Sequence, residues 1–125
     1  MQRRVALVAA WAWLAFVAFA TLSPAHLRPE LTPTEPAAIV VLEHVGAYAL
    51  LGILFSVSYR RRSALVVLIV FGNAVLLELL QLAIPGRDAR LVDAAEKLLG
   101  GGVGIAVSYL ALFLAFHRKN NRLLR

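Results

Sequence analysis

The chain reads as an all-α membrane protein: a bundle of four transmembrane helices with both termini on the cytoplasmic side (N-in, C-in). Three observations predict this. Of the 125 residues, 61% are hydrophobic and 16% charged, where soluble domains hold about 45–50% apolar and about 25% charged residues. The apolar residues gather into four runs, about 5–22, 37–59, 63–84 and 91–116, each near the ~20 residues that cross a bilayer. The basic residues sit in clusters at the ends of these runs rather than on one face. Together the runs use up the chain as a single domain, 1–125, with only short loops and tails besides. A large soluble catalytic domain is excluded. With no cysteine, so are a disulfide framework, a zinc–thiolate centre and a thiol nucleophile.

The first run, Val5 to Leu22, carries no charge and follows Arg3 and Arg4. A cleaved leader ending near Ala18-Phe19-Ala20 is a rival reading. The length of the run and the bulk of Trp11 and Trp13 favour a retained span. Four prolines at 24, 29, 33 and 36 then exclude a regular helix, because each removes a backbone donor. The second run holds Glu43 and His44, and the third holds Asn73, Glu78 and Gln81. Pro85-Gly86 marks a sharp turn before the fourth run, which opens with Asp93, Glu96 and Lys97 and carries Gly100, Gly101, Gly102 and Gly104.

Orientation follows from the basic residues. Placing the N-terminus, loop 60–62 and the tail on one side puts nine Lys and Arg there, against Arg28, Arg87 and Arg90 on the other. Cytoplasmic loops carry the excess of Lys and Arg, so loops 23–36 and 85–90 are expected to face outward from a multi-pass protein of the cytoplasmic membrane. A net charge of +6 would suggest nucleic acid in a soluble protein, but no basic patch interleaved with aromatics accompanies it. Membrane lipids, not nucleic acid, are the expected partners.

At 1.5 Å per residue, Glu43, Glu78 and Lys97 each lie about 9 Å below the outer end of their spans. His44, Gln81, Asp93 and Glu96 fall in the same band. Asp93, Lys97, Gly100 and Gly104 share one helix face, while His44, Tyr48 and Gly52 form a second stripe. Ionisable groups inside a bilayer are costly and so face one another or a wet cavity. Two readings stand side by side: ion pairing that only locks helices together, and a polar pocket. Gly52, Gly100 and Gly104 read as helix packing, since small residues let backbones approach. Asn73 reads as interhelical glue, and Tyr48 as either pocket or packing. In the pocket reading, Arg87 and Arg90 offer guanidinium forks to a phosphate or carboxylate. His44 near Glu78 would make an acid–base pair. No metal site and no cofactor are expected, for the chain has neither an Asp-rich cage nor a phosphate-cradling glycine loop.

An ordered set of motifs adds to this reading. It runs Thr21-Leu22-Ser23-Pro24, then His44, Tyr48 and Gly52, then Glu78-Leu79-Leu80-Gln81, Pro85-Gly86-Arg87, Asp93, Gly100 and Gly104. This set resembles the VanZ-like family of small integral membrane proteins, over about Thr21 to Gly104. The family usually has Lys three residues before its His, where this chain has Val41, and often Asn where Lys97 stands. The resemblance implies a small multi-span protein; the founding member is linked to lowered susceptibility to the glycopeptide antibiotic teicoplanin. It implies no established catalysis.

The preferred expectation is an outward-facing pocket for an anionic cell-envelope component, a lipid headgroup or a cell-wall precursor. Its core is Glu78, Gln81, Arg87 and Asp93, with His44, Lys97 and Tyr48 beside them. A membrane-embedded enzyme acting on lipid headgroups is the alternative, with binding preferred to turnover. A purely structural membrane module is the third. Four short helices enclose little space unless copies assemble, so a transporter ranks lower and a homo-oligomer stays open.

Overall fold

A computed structural model of the chain describes residues 2–24, 36–84 and 90–123, the side chains of residue 2 and of 121–123 excepted. The described chain is helical in four segments: α1 (Gln2–Leu22), α2 (Ala37–Ser58), α3 (Ser63–Gln81) and α4 (Leu91–Leu123). All four are long and apolar enough to cross a membrane. The architecture is therefore an all-α bundle with the build of a multi-pass membrane protein. Its surface makes the same point. Val8 of α1, Leu68 of α3 and Phe113 of α4 stand 69%, 69% and 57% exposed, an arrangement that water would penalise at about 25 cal/mol per Å² and that lipid tails accept.

Two element ends differ from the sequence reading. The third run was expected to continue to Ile84, but α3 stops at Gln81. Beyond it Leu82, Ala83 and Ile84 donate to the carbonyls of Leu79, Leu80 and Gln81 at 3.2, 3.1 and 3.1 Å. These i→i−3 bonds tighten the chain into a 3₁₀-type turn just before Pro85, whose ring disfavours a helical residue ahead of it. At the other extreme α4 runs past Phe116 to Leu123. No proline or glycine interrupts that stretch, and Arg118 and Lys119 are exposed.

Helix directions follow from side-chain bridges. Arg3 Nε donates to the carbonyl of Ser58 at 3.1 Å, joining the start of α1 to the end of α2. Gln81 Nε2 donates to the carbonyl of Thr21 at 2.9 Å, joining the ends of α1 and α3. The last carbonyls of a helix have no intrahelical donor, and Gln81 supplies one to α1 from a neighbouring helix. The end of α1, the start of α2, the end of α3 and the start of α4 thus lie at one end of the bundle, with loop 59–62 at the other.

α2 is the hub and packs on all three other helices, whereas α1 and α4 do not touch among the described residues. Its closest partner is α4, and glycine is the reason. A Cβ on Gly100 would run into the Val45 backbone, and one on Gly104 into that of Ala49. A Cβ on Gly52 would stand 2.6 Å from the Gly101 carbonyl oxygen. The contacts advance together along both chains, 45 with 100 and 49 with 104, so α2 and α4 run parallel. Toward the loop 59–62 end the core is apolar and aromatic. Phe55 is fully buried, meets Trp11 edge-on at 5.3 Å and stacks on Tyr59 at 6.1 Å.

Candidate functional site: a polar cluster at one end of the bundle

The end of the bundle where α1 and α3 finish and α2 and α4 begin collects charged side chains from three helices. Glu78, in the last turn of α3, is 7% exposed and accepts two hydrogen bonds. Lys97 Nζ donates to its Oε2 at 2.6 Å, and the backbone amide of Arg90 donates to its Oε1 at 2.7 Å. Lys97 is 1% exposed, so this ion pair is closed. The geometry explains why a carboxylate sits here. The Arg90 carbonyl accepts the first helical bond of α4, from Ala94 at 3.2 Å, which makes Arg90 the N-cap. Leading amides of a helix lack intrahelical acceptors and carry partial positive charge. Glu78 satisfies one of them from α3 while neutralising Lys97 about two turns further on.

A second group lies beside the first and is more open. His44 Nδ1 and Glu96 Oε2 are 2.8 Å apart, with side chains 17% and 14% exposed. Asp93, in the first turn of α4, is also half-buried. One donor atom from each of His44, Asp93 and Glu96 falls within 4.8 Å of the others. Among the described residues Asp93 has no hydrogen-bond or ion-pair partner. The i, i+3 spacing of Asp93 and Glu96 puts both on one face of α4, and the tight glycine contact with α2 brings that face to His44.

The site residues expected from sequence separate into three groups. Glu78 and Lys97 form the closed pair, and His44 and Asp93 join the open group. Tyr48 is 1% exposed and donates to Asn73 Oδ1 at 2.9 Å, so its hydroxyl is spent between α2 and α3. Gln81 holds the end of α1, as described above. Gly52, Gly100 and Gly104 lie where the α2 and α4 backbones meet. Arg87 falls outside the described residues, and Arg90 presents an exposed side chain.

Two expectations change. The acid–base pair of His44 with Glu78 does not form: both Glu78 oxygens are taken by Lys97 and Arg90, and the imidazole bonds to Glu96 instead. Lys97 is likewise held by Glu78 rather than presented to an incoming anion. Sequence reading places Glu96 at the right depth but does not count it among the site residues. What marks it is its place three residues after Asp93 and next to Lys97, so that successive side chains of α4 reach α2 and α3 separately. Trp13, whose Nε1 donates to the Ala47 carbonyl at 3.0 Å, was read only as bulk.

The arrangement can do two things chemically. The closed pair fixes α3 against α4. The open group presents two carboxylates and an imidazole, near the exposed Arg90, to whatever meets this end of the bundle. Comparison of the chain with protein-family models, with curated proteins and with solved structures found no match.

Proposed function

We propose that the chain is a VanZ-like protein of the cytoplasmic membrane, with this end of the bundle facing outward as a binding site for an anionic envelope component. The ligand class is a lipid headgroup or a cell-wall precursor, and a link to glycopeptide susceptibility follows from the family resemblance alone. One observation carries the reading. Beside a closed ion pair sufficient to lock α3 to α4, the bundle keeps a half-buried group of three more ionisable side chains at the same end. A structural lock does not need them, and intramembrane ionisable groups are functional candidates by default. The exposed Arg90, with Arg87 close in sequence, provides the guanidinium groups that suit phosphate or carboxylate. Outward orientation rests on the distribution of Lys and Arg.

Two experiments test this. Single cysteines placed at 28, 61 and 87 of the cysteine-free chain should label from outside at 28 and 87, and only from inside at 61. Labelling of position 87 from the cytosol alone would refute the outward site. Binding of anionic lipid vesicles or of a cell-wall precursor to purified protein should weaken in Arg87→Ala and Arg90→Ala. Unchanged binding in the double variant, at normal expression and thermal stability, would refute the anionic ligand.

The alternative of an enzyme acting on lipid headgroups draws on the same His44. With Glu78 committed elsewhere, Glu96 is the group that could orient the imidazole. Turnover of labelled lipid lost in His44→Ala would favour it.

A further inference from the structure

We infer that His44, Asp93 and Glu96 form a binding site for one divalent cation of the kind that accepts mixed nitrogen and oxygen ligands, such as Zn²⁺ or Mn²⁺. This deepens the reading above by adding an ion to the same end of the bundle. Cation binding can be measured with no lipid ligand present, so the two proposals fail separately.

Donor geometry is the first argument. Imidazole nitrogen and carboxylate oxygen bind such ions at about 2.0–2.2 Å, which puts neighbouring donors on a shared ion about 3–3.5 Å apart. His44 Nδ1 and Glu96 Oε2 already stand 2.8 Å apart, and one donor atom from each of His44, Asp93 and Glu96 lies within 4.8 Å of the others. The remaining difference is at most about 1–2 Å, the scale of a side-chain adjustment. The three donors come from two helices whose separation is fixed by backbone contact at Gly100 and Gly104, so the frame does not depend on a loop.

Charge is the second, independent argument. Two carboxylates converge here on one imidazole. Lys97, one residue along, is consumed by Glu78, and Asp93 has no partner among the described residues. The start of α4 favours negative charge near its first turn, but Glu78 already accepts from the Arg90 amide there. A half-buried pair of carboxylates within membrane-spanning helices is costly unless it is protonated or countered by positive charge. A divalent cation supplies it, and neutral imidazole is the natural third ligand.

Three protein ligands leave coordination positions open, as in zinc sites that admit water or substrate. At the edge of a membrane these positions would take phosphate or carboxylate oxygens. The ion thereby resolves the misfit of an acidic site with an anionic partner.

The test uses the full chain, purified without a histidine tag in zwitterionic detergent and stripped with a chelator. Titration with Zn²⁺ followed by calorimetry, and with Mn²⁺ followed by loss of the free-ion EPR signal, should show one saturable site per chain for at least one ion. Asp93→Asn and Glu96→Gln should each weaken it at least about tenfold, with His44→Ala doing the same. His117→Ala, in the exposed part of α4, should leave it unchanged. Asp93→Asn removes no hydrogen bond made by described residues, so its fold is expected to survive in chelator, as judged by circular dichroism. Absence of a saturable site for either ion, or one that persists in Asp93→Asn and Glu96→Gln, overturns the cation site. Phosphatidylglycerol vesicles with and without the ion then read the second arm: binding that needs the ion supports coordination of the headgroup. Ion binding without any lipid binding leaves the cation site standing and removes the anionic-ligand reading.

Discussion

Glu96 and Lys97 are neighbours in sequence, yet they belong to two unlike ionic groups. Lys97 turns inward to Glu78 and is 1% exposed. Glu96 turns about 100° around the helix to His44 at a half-open rim. Both carboxylate oxygens of the closed pair are occupied, one by Lys97 and the other by the Arg90 amide. The open group keeps an excess carboxylate. One residue of rotation on α4 therefore separates a structural lock from a site with capacity to spare.

The largest expected effect tests the lock. Lys97→Met leaves Glu78 as an unpaired buried charge, and removal of one partner of such a pair costs about 3–5 kcal/mol. Thermal unfolding in detergent should drop sharply, or the protein should fail to accumulate. Glu78→Gln combined with Lys97→Met should recover most of the loss, because no charge is then left alone.

The glycine frame that holds the two groups in register comes next. Gly104→Val forces a side chain into the Ala49 backbone and should cost about 1–3 kcal/mol, the usual range for overpacking. It should also weaken ligand binding at the open group. Gly72→Ala is the contrast: nothing lies within 4 Å of an added Cβ, and stability should stay level or rise, since glycine in a helix is about 1 kcal/mol worse than alanine.

Smaller effects sharpen the comparison by depth. Tyr48→Phe removes the bond to Asn73, and an interhelical hydrogen bond in a membrane bundle averages about 0.6 kcal/mol. Glu96→Gln, measured in chelator, should cost less than about 1 kcal/mol, as partly solvated ion pairs do. If Glu96→Gln proves as damaging as Lys97→Met, the rim is structural and the distinction between the two groups falls.

Much of this was legible in the sequence because it rests on short-range physics. Four apolar runs, proline breaks and flanking arginines fix the number of helices and their alternating direction. Depth along each span placed Glu78, Lys97, His44, Asp93 and Glu96 in one band, since rise per residue is constant. Depth does not decide partners, however. Every pairing in that band was compatible with the sequence, and His44 with Glu78 looked natural.

The partners were decided by how α2 and α4 cross. Gly52, Gly100 and Gly104 allow backbone contact, and that contact sets the rotation of α4 about its own axis. The rotation sends Lys97 to α3 and Asp93 with Glu96 to α2. The start of α4 offers a leading amide, and the Glu78 carboxylate accepts from it. The sequence by itself thus determined the address, a bilayer, and the level at which its charges lie, because hydropathy and helical rise are local. Only the tertiary structure decided which charges neutralise one another and which stay at a half-open rim, because that choice depends on angles between helices that no single segment encodes.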